Sequence, residues 1–501
     1  MMFKNVKELS NKTETSFFVE QIQVYTRLVE VYCEKNKITY EKSVDELPID
    51  ELKKIGLIDD ESDIDILKKV AGKNYESFIF AVAFAANNRS KMDGCLDKLY
   101  NSERLRMQEE AAEKHVLTLV DFFCGAGGLS LGFLQEGFNV KLANDIEDVC
   151  IQTYKYNHPE LPSSKLIQGD IKQIVDHIED YIDEDIDIVV GGPPCQGFSE
   201  ANRQRVIDDP RNKLYKYYVQ AVERIAPKVV VMENVKGMLK VADQVVEDYE
   251  SLRIKKQGKE YLYKVQYRII NSQNFNVAQS RDRLIYIALR NDVMEDKGIT
   301  PADIFNEIEK NCKNHKTFIL QDALDCIKPL DASRIKNMNE VDSETTGKKI
   351  DVNKYEDNEY LSLINMGRKI PYVFNHKARY VSDVNYEIYK RLNPGDDATD
   401  EKIADIMPYA HRNHCFKDKY YKLHADRPCR TITAHLRMDC HSHIHPSQIR
   451  ALTPREAARV QSFPDDYLFW GAYLKTYMQI GNAVPPMMAR GIAATIKKYL
   501  Q

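Results

Sequence analysis

The sequence predicts an α/β fold with an open sheet, preceded by a mainly helical N-terminal extension. Short β-branched or apolar runs recur from Leu117 onward, and several of them end in glycine or an acidic residue. A glycine-rich turn directly follows the first of these runs. Residues 1–112 instead place apolar side chains near helical spacing. Strands that alternate with helical segments indicate an α/β sheet, and ligands bind such sheets at the carboxyl ends of the strands.

Length, composition and charge narrow the class of protein. A chain of 501 residues is long enough for two or three domains. It has neither an apolar run of the ~20 residues that span a bilayer nor the apolar core of a signal peptide at its N-terminus. Its ten cysteines are scattered and suggest no disulfide framework, which favours the reducing cytoplasm. The chain carries a net charge of −5, so it would need a local basic face in order to bind a nucleic acid.

The N-terminal region, residues 1–112, has helical character. Phe17–Tyr32 carries apolar residues near a helical period, and Tyr75–Ala86 is apolar enough to be buried. Glu103–Lys114 is charged and poor in large apolar residues, which favours a helical linker. No catalytic set of residues is apparent, so we expect an accessory region that packs against the chain or binds a partner.

A strand, a glycine turn and a helix follow one another from Leu117. The apolar run Leu117–Phe123 leads into Cys124-Gly125-Ala126-Gly127-Gly128, and a helical segment comes next. Glycines let the backbone approach a cofactor closely, and a helix N-terminus carries partial positive charge. The spacing differs from the dinucleotide fingerprint Gly-x-Gly-x-x-Gly, so a different cofactor is expected.

Acidic residues follow the next two predicted strands. Asn139–Ala143 is followed by Asp145 and Ile146, and the unit Lys165–Ile171 contains Asp170 near its end. A carboxylate about twenty residues after a glycine turn is suited to hold ribose hydroxyls. Ile146 is suited to pack on an adenine face, and Asp170 to accept from its amino group. Either acid alone is more often a solvated loop residue, but the two together favour a nucleoside site.

A candidate nucleophile lies just after the fourth predicted strand. Ile188–Val190 is followed by Gly191-Gly192-Pro193-Pro194, which forms a constrained loop, and then by Cys195. A free cysteine is usually a small buried hydrophobe, but packing alone does not call for so rigid a loop. We therefore expect Cys195 to be a nucleophile activated by partners elsewhere in the chain.

Charged residues surround this loop in the sequence. Glu233 follows the fifth predicted strand, Lys228–Met232, and is a candidate proton donor, although exposed glutamates at strand ends are common. The polar segment Glu200–Lys213 is a candidate loop that closes over substrate. A further strand is predicted at Leu284–Leu289, shortly after two arginines.

Taken together, these motifs resemble the DNA cytosine-5 methyltransferases of bacterial restriction-modification systems. They are Phe-x-Gly-x-Gly-Gly, Pro-Pro-Cys-Gln, Glu-Asn-Val, Gln-x-Arg-x-Arg and a late Gly-Asn-Ala-Val-Pro-Pro, in the family's order. The resemblance covers Leu117–Arg290 and Arg450–Tyr499. It implies a Rossmann-like, S-adenosylmethionine-dependent catalytic domain at 113–299, a smaller target-recognition domain at 300–445, and C-terminal motifs at 446–501 that return to the catalytic domain.

The resemblance also implies roles for individual residues. Cys195 would be the nucleophile, Glu233 would face the cytosine N3 edge, and Arg283, with Arg281 nearby, would support the flipped base. Asp145 would bind the ribose of S-adenosylmethionine and Asp170 its adenine amino group. Ile146 replaces a tryptophan that the family often has, which implies a weaker adenine contact. The remaining implied cofactor contacts are Phe123, Gly125, Ala126, Gly127, Gly128, Ile171, Pro194, Leu214, Asn482 and Ala483.

The interval Thr300–His445 offers groups suited to DNA. Asn337–Asn358 is polar and is expected to be a loop. Basic, aromatic and hydroxyl groups suited to phosphates and base edges occur in Asn375–Arg379, Phe416–Lys422 and Arg427–Thr433. Seven histidines and three cysteines lie between His411 and His445, but they form no clean zinc-ligand pairs, so no metal is expected.

The C-terminal part contains a helix with a clear start signal. Thr453 is suited to cap it, Pro454 stands in its first turn, and Glu456 completes a capping box. This helix resembles one that supports the recognition domain in the DNA cytosine-5 methyltransferases, which implies the same structural role here.

The sequence therefore predicts methyl transfer from S-adenosylmethionine to C5 of a flipped-out cytosine in a specific duplex DNA sequence, through a covalent Cys195–C6 intermediate. A transfer RNA methyltransferase and an inactive DNA-binding homologue are the alternatives. The expected partner is double-stranded DNA, without a membrane, in the bacterial cytoplasm near the nucleoid. A companion restriction endonuclease, or a partner of the N-terminal region, would accompany such an enzyme.

Overall fold

A computed structural model describes most of the chain. The described residues are 2–39, 46–92, 94, 96–114, 116–194, 213–256, 258–337, 339–408 and 419–501. Several residues singled out from the sequence lie outside them: Cys195, positions 200–212 of the expected closing loop, His411, His414, Cys415 and Phe416.

The described residues build a central seven-stranded sheet in the order β3-β2-β1-β4-β5-β9-β8. Its strands are β1 (Thr118–Phe122), β2 (Asn139–Asp145), β3 (Leu166–Gln168), β4 (Ile188–Gly191), β5 (Val229–Asn234), β8 (Tyr263–Asn271) and β9 (Asp282–Arg290). The first five run parallel, whereas β9 lies antiparallel to β5 and β8 antiparallel to β9. The short strands β6 (Ile254–Lys256) and β7 (Lys259–Tyr261) form a separate hairpin. The predicted α/β fold is confirmed.

Helices cover both faces of this sheet. Leu119, Val190 and Val231 pack on one face, and their neighbours Val120, Val189 and Val230 pack on the other. Successive residues of a strand point to opposite faces, so strands buried on both sides are apolar throughout. The helices of this part are α6 (Gly128–Gln135), α7 (Asp148–Asn157), α8 (Ile171–Asp176), α9 (Lys213–Ile225), α10 (Ala242–Glu250), α11 (Asn291–Lys297), α12 (Pro301–Cys312) and α18 (Pro486–Leu500).

The N-terminal extension is mainly helical, as predicted. It contains α1 (Lys12–Asn36), α2 (Ile49–Lys54), α3 (Ile64–Ala71), α4 (Tyr75–Asn88) and α5 (Asn101–Glu113). Its apolar core is continuous with residues far along the chain, including Tyr156, Phe374 and Trp470. The extension is therefore packed against the rest of the molecule.

The interval after α12 holds short elements. They are α13 (Leu320–Leu324), β10 (Gly347–Val352), α14 (Glu359–Ile364), β11 (Tyr372–Lys377) and α15 (Asp383–Arg391), followed by α16 (Pro454–Val460) and α17 (Tyr473–Asn482). The expectation of a loop over Asn337–Asn358 is wrong in part, because β10 lies within it and pairs with β11. Ile350, the buried residue of this polar strand, packs in the N-terminal core, a contact that local composition does not show.

The predicted start of α16 is confirmed. The Thr453 hydroxyl accepts from the Glu456 backbone N–H, and the Glu456 carboxylate accepts from the Thr453 backbone N–H at 2.7 Å. Within the described parts of the chain, no helix is both long and apolar enough to cross a membrane.

Candidate active site

A pocket of about 680 Å³ lies at the carboxyl ends of the parallel strands. It is lined by residues that follow β1 to β5 and by residues of α17. The sequence-predicted residues on its wall are Phe123, Gly125, Ala126, Gly128, Asp145, Ile146, Asp170, Ile171, Pro194, Leu214, Glu233, Asn482 and Ala483. Motifs that are far apart in the sequence thus meet in one cavity. The volume of this cavity is within the usual range for small-ligand sites.

The glycine turn forms the floor of the pocket. Gly125 and Gly127 have φ of +52° and +84°, a region that residues with a Cβ rarely adopt. The backbone N–H of Gly125 donates to the Asp145 carboxylate at 2.8 Å, and the Glu147 N–H donates to the other oxygen at 2.8 Å. Asp145 therefore fixes the turn, and burial raises the pKa of its carboxyl above the ordinary value.

Gly127 lies on the turn but faces away from the pocket. A Cβ at this position would lie 2.5 Å from His158 Nε2 and 2.7 Å from the Tyr467 hydroxyl. His158 and Tyr467 are hydrogen-bonded to each other at 3.1 Å. Gly127 thus permits close packing behind the turn, and it does not line the pocket itself.

The next two strand ends present an apolar and an acidic side chain. Ile146 is 66% exposed, which is unusual for a large apolar residue on a pocket wall. Asp170 is exposed and caps α8, where its carboxylate accepts from the Lys172 N–H at 2.9 Å. These side chains offer an apolar surface and a hydrogen-bond acceptor to a bound base.

The loop that leads to Cys195 is held by the Glu-Asn-Val motif. The Asn234 side-chain amide donates to the Pro193 carbonyl at 3.0 Å. Glu233 forms an ion pair with Arg283, with 2.7 Å between Oε1 and Nε, and both side chains are largely buried. A Cβ on Gly192 would lie 3.1 Å from Glu233 Oε2, so glycine there leaves room for the carboxylate. Sequence reasoning missed Asn234, although it directly follows the candidate acid.

Arg281 is not brought to the pocket. Its side chain is 1% exposed, and its guanidinium donates to the backbone carbonyls of Ile432 at 2.6 Å, Gly481 at 3.0 Å and Ala483 at 3.1 Å. Arg283 lies within β9, whereas Arg281 precedes it, so the regular alternation of the strand does not set the direction of both side chains. Arg283 meets Glu233, whereas Arg281 joins the sheet to the recognition interval and the C-terminal segment.

A buried acid beside the glycine turn was missed by the sequence analysis. Asp121 lines the pocket and accepts a hydrogen bond from the Ser130 hydroxyl, which in turn accepts from Tyr154 at 2.8 Å. Its Oδ1 has no hydrogen-bond partner among the residues that the structure describes. Burial raises the pKa of its carboxyl to about 7. The available signal was a single charged residue inside the apolar run Leu117–Phe123.

A second, smaller cavity of about 470 Å³ lies in the recognition interval. Its wall includes Tyr421, His424, Arg427, Arg430 and the hydroxyls of Thr431 and Thr433. The Ser280 N–H donates to the Cys429 carbonyl at 2.8 Å, so this wall adjoins the strand that carries Arg283. Groups suited to phosphates and base edges thus lie next to the candidate catalytic residues.

The segment Asn375–Arg379 serves packing instead. Asn375 pairs with the Phe469 backbone, and His376 contacts Thr453 and the Lys328 carbonyl. Arg379 donates to the backbone carbonyl of Leu436 at 3.0 Å. The expectation that this segment presents groups to DNA is not supported, because Asn375–Lys377 belong to the buried part of β11 and the Arg379 guanidinium is bound to backbone carbonyls.

The histidines at the end of the interval are also buried. Burial lowers the pKa values of His441, His443 and His445 to about 4, 3 and 4. They are thus neutral near pH 7. No group of three or more His, Cys, Asp or Glu side chains arranged to hold a metal occurs among the described residues.

Comparisons with known proteins agree with this arrangement. The family model for C-5 cytosine-specific DNA methylases matches residues 117–498. The type II methyltransferase M1.HphI of Haemophilus parahaemolyticus is 31% identical over 393 residues, which is 76% of this chain and 87% of that protein. M.DdeI of Desulfomicrobium norvegicum, another type II methyltransferase, is 30% identical over 410 residues, covering 77% and 89%.

A solved structure shares the fold. It is a prophage-encoded E. coli protein described as a DNA modification methyltransferase, with a TM-score of 0.57 and 24% identity over 77% of this chain and 99% of that one. The family match spans the pocket-lining motifs and the recognition interval and leaves out the N-terminal extension. The chain belongs to the family of C-5 cytosine-specific DNA methylases and is a DNA cytosine-5 methyltransferase.

Proposed function

We propose that the protein binds S-adenosylmethionine in the 680 Å³ pocket and methylates C5 of a flipped-out cytosine in a specific duplex sequence, through a covalent bond between Cys195 and C6. The observation that carries the proposal is that the glycine turn, the two strand-end acids and Glu233 share one cavity. The loop Gly192–Pro194, which directly precedes Cys195, lines the same cavity.

The residues of the pocket fit this cofactor. Asp145 would accept from the ribose hydroxyls, Ile146 would cover one face of the adenine, and Asp170 would accept from its amino group. The turn at Gly125 lets the backbone approach the methionine portion, and Asn482 and Ala483 close the pocket from the C-terminal side. When bound, S-adenosylmethionine supplies an electrophilic methyl group.

The chain's own residues prepare cytosine for this transfer. C5 of the aromatic ring is a weak nucleophile, so Cys195 Sγ adds to C6, and the C5–C6 π electrons move to C5. Glu233 would act at the N3 edge by hydrogen bonding or by proton transfer as the sulfur adds, which stabilises the negative charge that develops on the ring. Arg283 orients Glu233 through their ion pair. After C5 is methylated, loss of the C5 proton and departure of Sγ restore the ring.

Access to the base requires it to leave the helix, at a cost of a few kcal/mol. The second cavity, with Arg427, Arg430 and Thr431 on its wall, would contact the backbone and neighbouring bases. The relatives M1.HphI and M.DdeI are type II methyltransferases, which supports a role in restriction-modification with a companion endonuclease of the same specificity.

Bisulfite sequencing of DNA from cells that express the chain tests the proposal, with Cys195→Ala as the matched control. We expect cytosines in one short sequence to be protected only when Cys195 is present. If the wild-type protein protects no cytosine, or if the Cys195→Ala variant protects as well, the mechanism is refuted. To decide between duplex DNA and transfer RNA as the substrate, the purified protein is incubated with each of them and with methyl-labelled S-adenosylmethionine, and the label transferred to each nucleic acid is measured.

A further inference from the structure

The first long helix of the N-terminal extension reaches the rear of the pocket. Phe17 of α1 packs against a small cluster formed by Val149, Cys150 and Met478. Cys150 of α7 and Met478 of α17 also line the pocket. Phe17 therefore packs on a cluster in which two of the three members also form part of the pocket wall.

The same helix holds the turn that precedes α17. The Glu20 carboxylate accepts from the Gly471 N–H at 2.9 and 3.2 Å. Gly471 has φ of +91°, and a Cβ there would lie 2.9 Å from Val149 Cγ1. The turn is thus fixed between α1 and α7, and α17, which carries Met478 and Asn482, begins two residues later.

Contacts from α1 also extend to the recognition interval. Glu20 forms an ion pair with Lys349 of β10. About two helical turns further on, the Arg27 guanidinium donates to the Ile350 carbonyl at 3.0 Å. Charges that are largely buried interact more strongly than exposed ones, so these contacts fix β10 relative to the helix.

We infer that α1 is a positioning element of the methyltransferase, in which Phe17 supports the cofactor-pocket wall from behind and Glu20 joins the turn before α17 to strand β10 of the recognition interval. This inference rests on the proposed function of the pocket. It gives the N-terminal extension, which the family match omits, a direct part in binding cofactor and DNA.

The cofactor part is tested with full-length Phe17→Ala, Phe17→Leu and Tyr32→Ala. Tyr32 lies on the same helix but packs on Phe84 within the extension, so its variant controls for general loss of stability. We expect Phe17→Ala to raise the Kd for S-adenosylmethionine, measured by calorimetry, about three- to thirtyfold, the usual range for mutations outside a binding site. Phe17→Leu should restore most of the affinity.

The Kd values of these variants decide whether Phe17 has a positioning role. A Kd for Phe17→Ala within about twofold of wild type, or an equal increase for Tyr32→Ala, would refute the positioning role of Phe17. Trp470 is the only tryptophan in the sequence and is buried beside the extension, so an unchanged emission spectrum verifies native packing. If the wild-type protein binds no S-adenosylmethionine, the proposed function is wrong, and this inference fails with it.

The DNA part is tested with Glu20→Gln, which keeps the shape of the side chain but removes its charge. We expect the KM for duplex DNA to rise about threefold or more while kcat stays near the wild-type value. Lys349→Met should have the same effect, and the double variant should add nothing further, because both remove one ion pair. Additive effects of the two substitutions would contradict the link.

Discussion

Replacing Arg281 separates a structural role from a catalytic one. In the Arg281→Met variant the apolar stem is retained, but the guanidinium that donates to the Ile432, Gly481 and Ala483 carbonyls is lost. Each buried carbonyl left without a donor costs about 1 to 3 kcal/mol, and relaxation or entering water recovers part of it. The expected loss of stability is therefore about 3 to 5 kcal/mol.

The assay compares Arg281→Met with Arg283→Met in urea unfolding and in methyl transfer. Arg281→Met should shift the unfolding midpoint strongly to lower urea, since the contacts of Arg281 join its own segment to two others. Arg283→Met should lose kcat because Arg283 is paired with Glu233 at 2.7 Å. It should also unfold at lower urea than wild type, since the largely buried Glu233 loses its partner, but less so than Arg281→Met because Glu233 lines the pocket. If Arg281→Met retains wild-type stability and loses only kcat, then Arg281 acts at the base and the reasoning above is wrong.

Three further predictions concern the pocket and its support. Asp145→Ala should weaken S-adenosylmethionine binding, because it removes both the proposed ribose acceptor and the acceptor of the Gly125 N–H; an unchanged Kd would exclude the ribose role. Asp121→Asn should flatten the pH dependence of stability. The pKa of the Asp121 carboxyl in the folded protein is about 7, above its ordinary value. Between about pH 4 and 7 the folded protein therefore keeps a proton that the unfolded chain has lost. Wild-type stability should fall over that window by up to about 4 kcal/mol relative to the variant, as urea unfolding at several pH values would show. Gly481→Ala should lower Tm, because its Cβ would lie 2.2 Å from the Thr433 carbonyl carbon; an unchanged Tm would mean that this contact relaxes freely.

Features that are set by residues close together in the sequence could be predicted from the sequence alone. The β-branched runs that became β1, β4 and β5, and the capping box at Thr453, are set by local periodicity and local hydrogen bonds. The glycine turn followed by acids at the next strand ends placed the pocket, because parallel strands bring their carboxyl ends to one edge. The roles of these residues toward cofactor and base stay predictions.

Contacts between distant segments were decided by the tertiary structure alone. The sequence shows Arg281 and Arg283 as equivalent members of one motif, but which of them meets Glu233 depends on segments 50 to 200 residues away. Likewise, nothing near Phe17 shows that it packs behind a pocket wall formed by Cys150 and Met478. Local pattern fixes which residues form strands and helices, whereas burial of a charge or support of a site depends on which elements pack together, and that is a property of the whole chain.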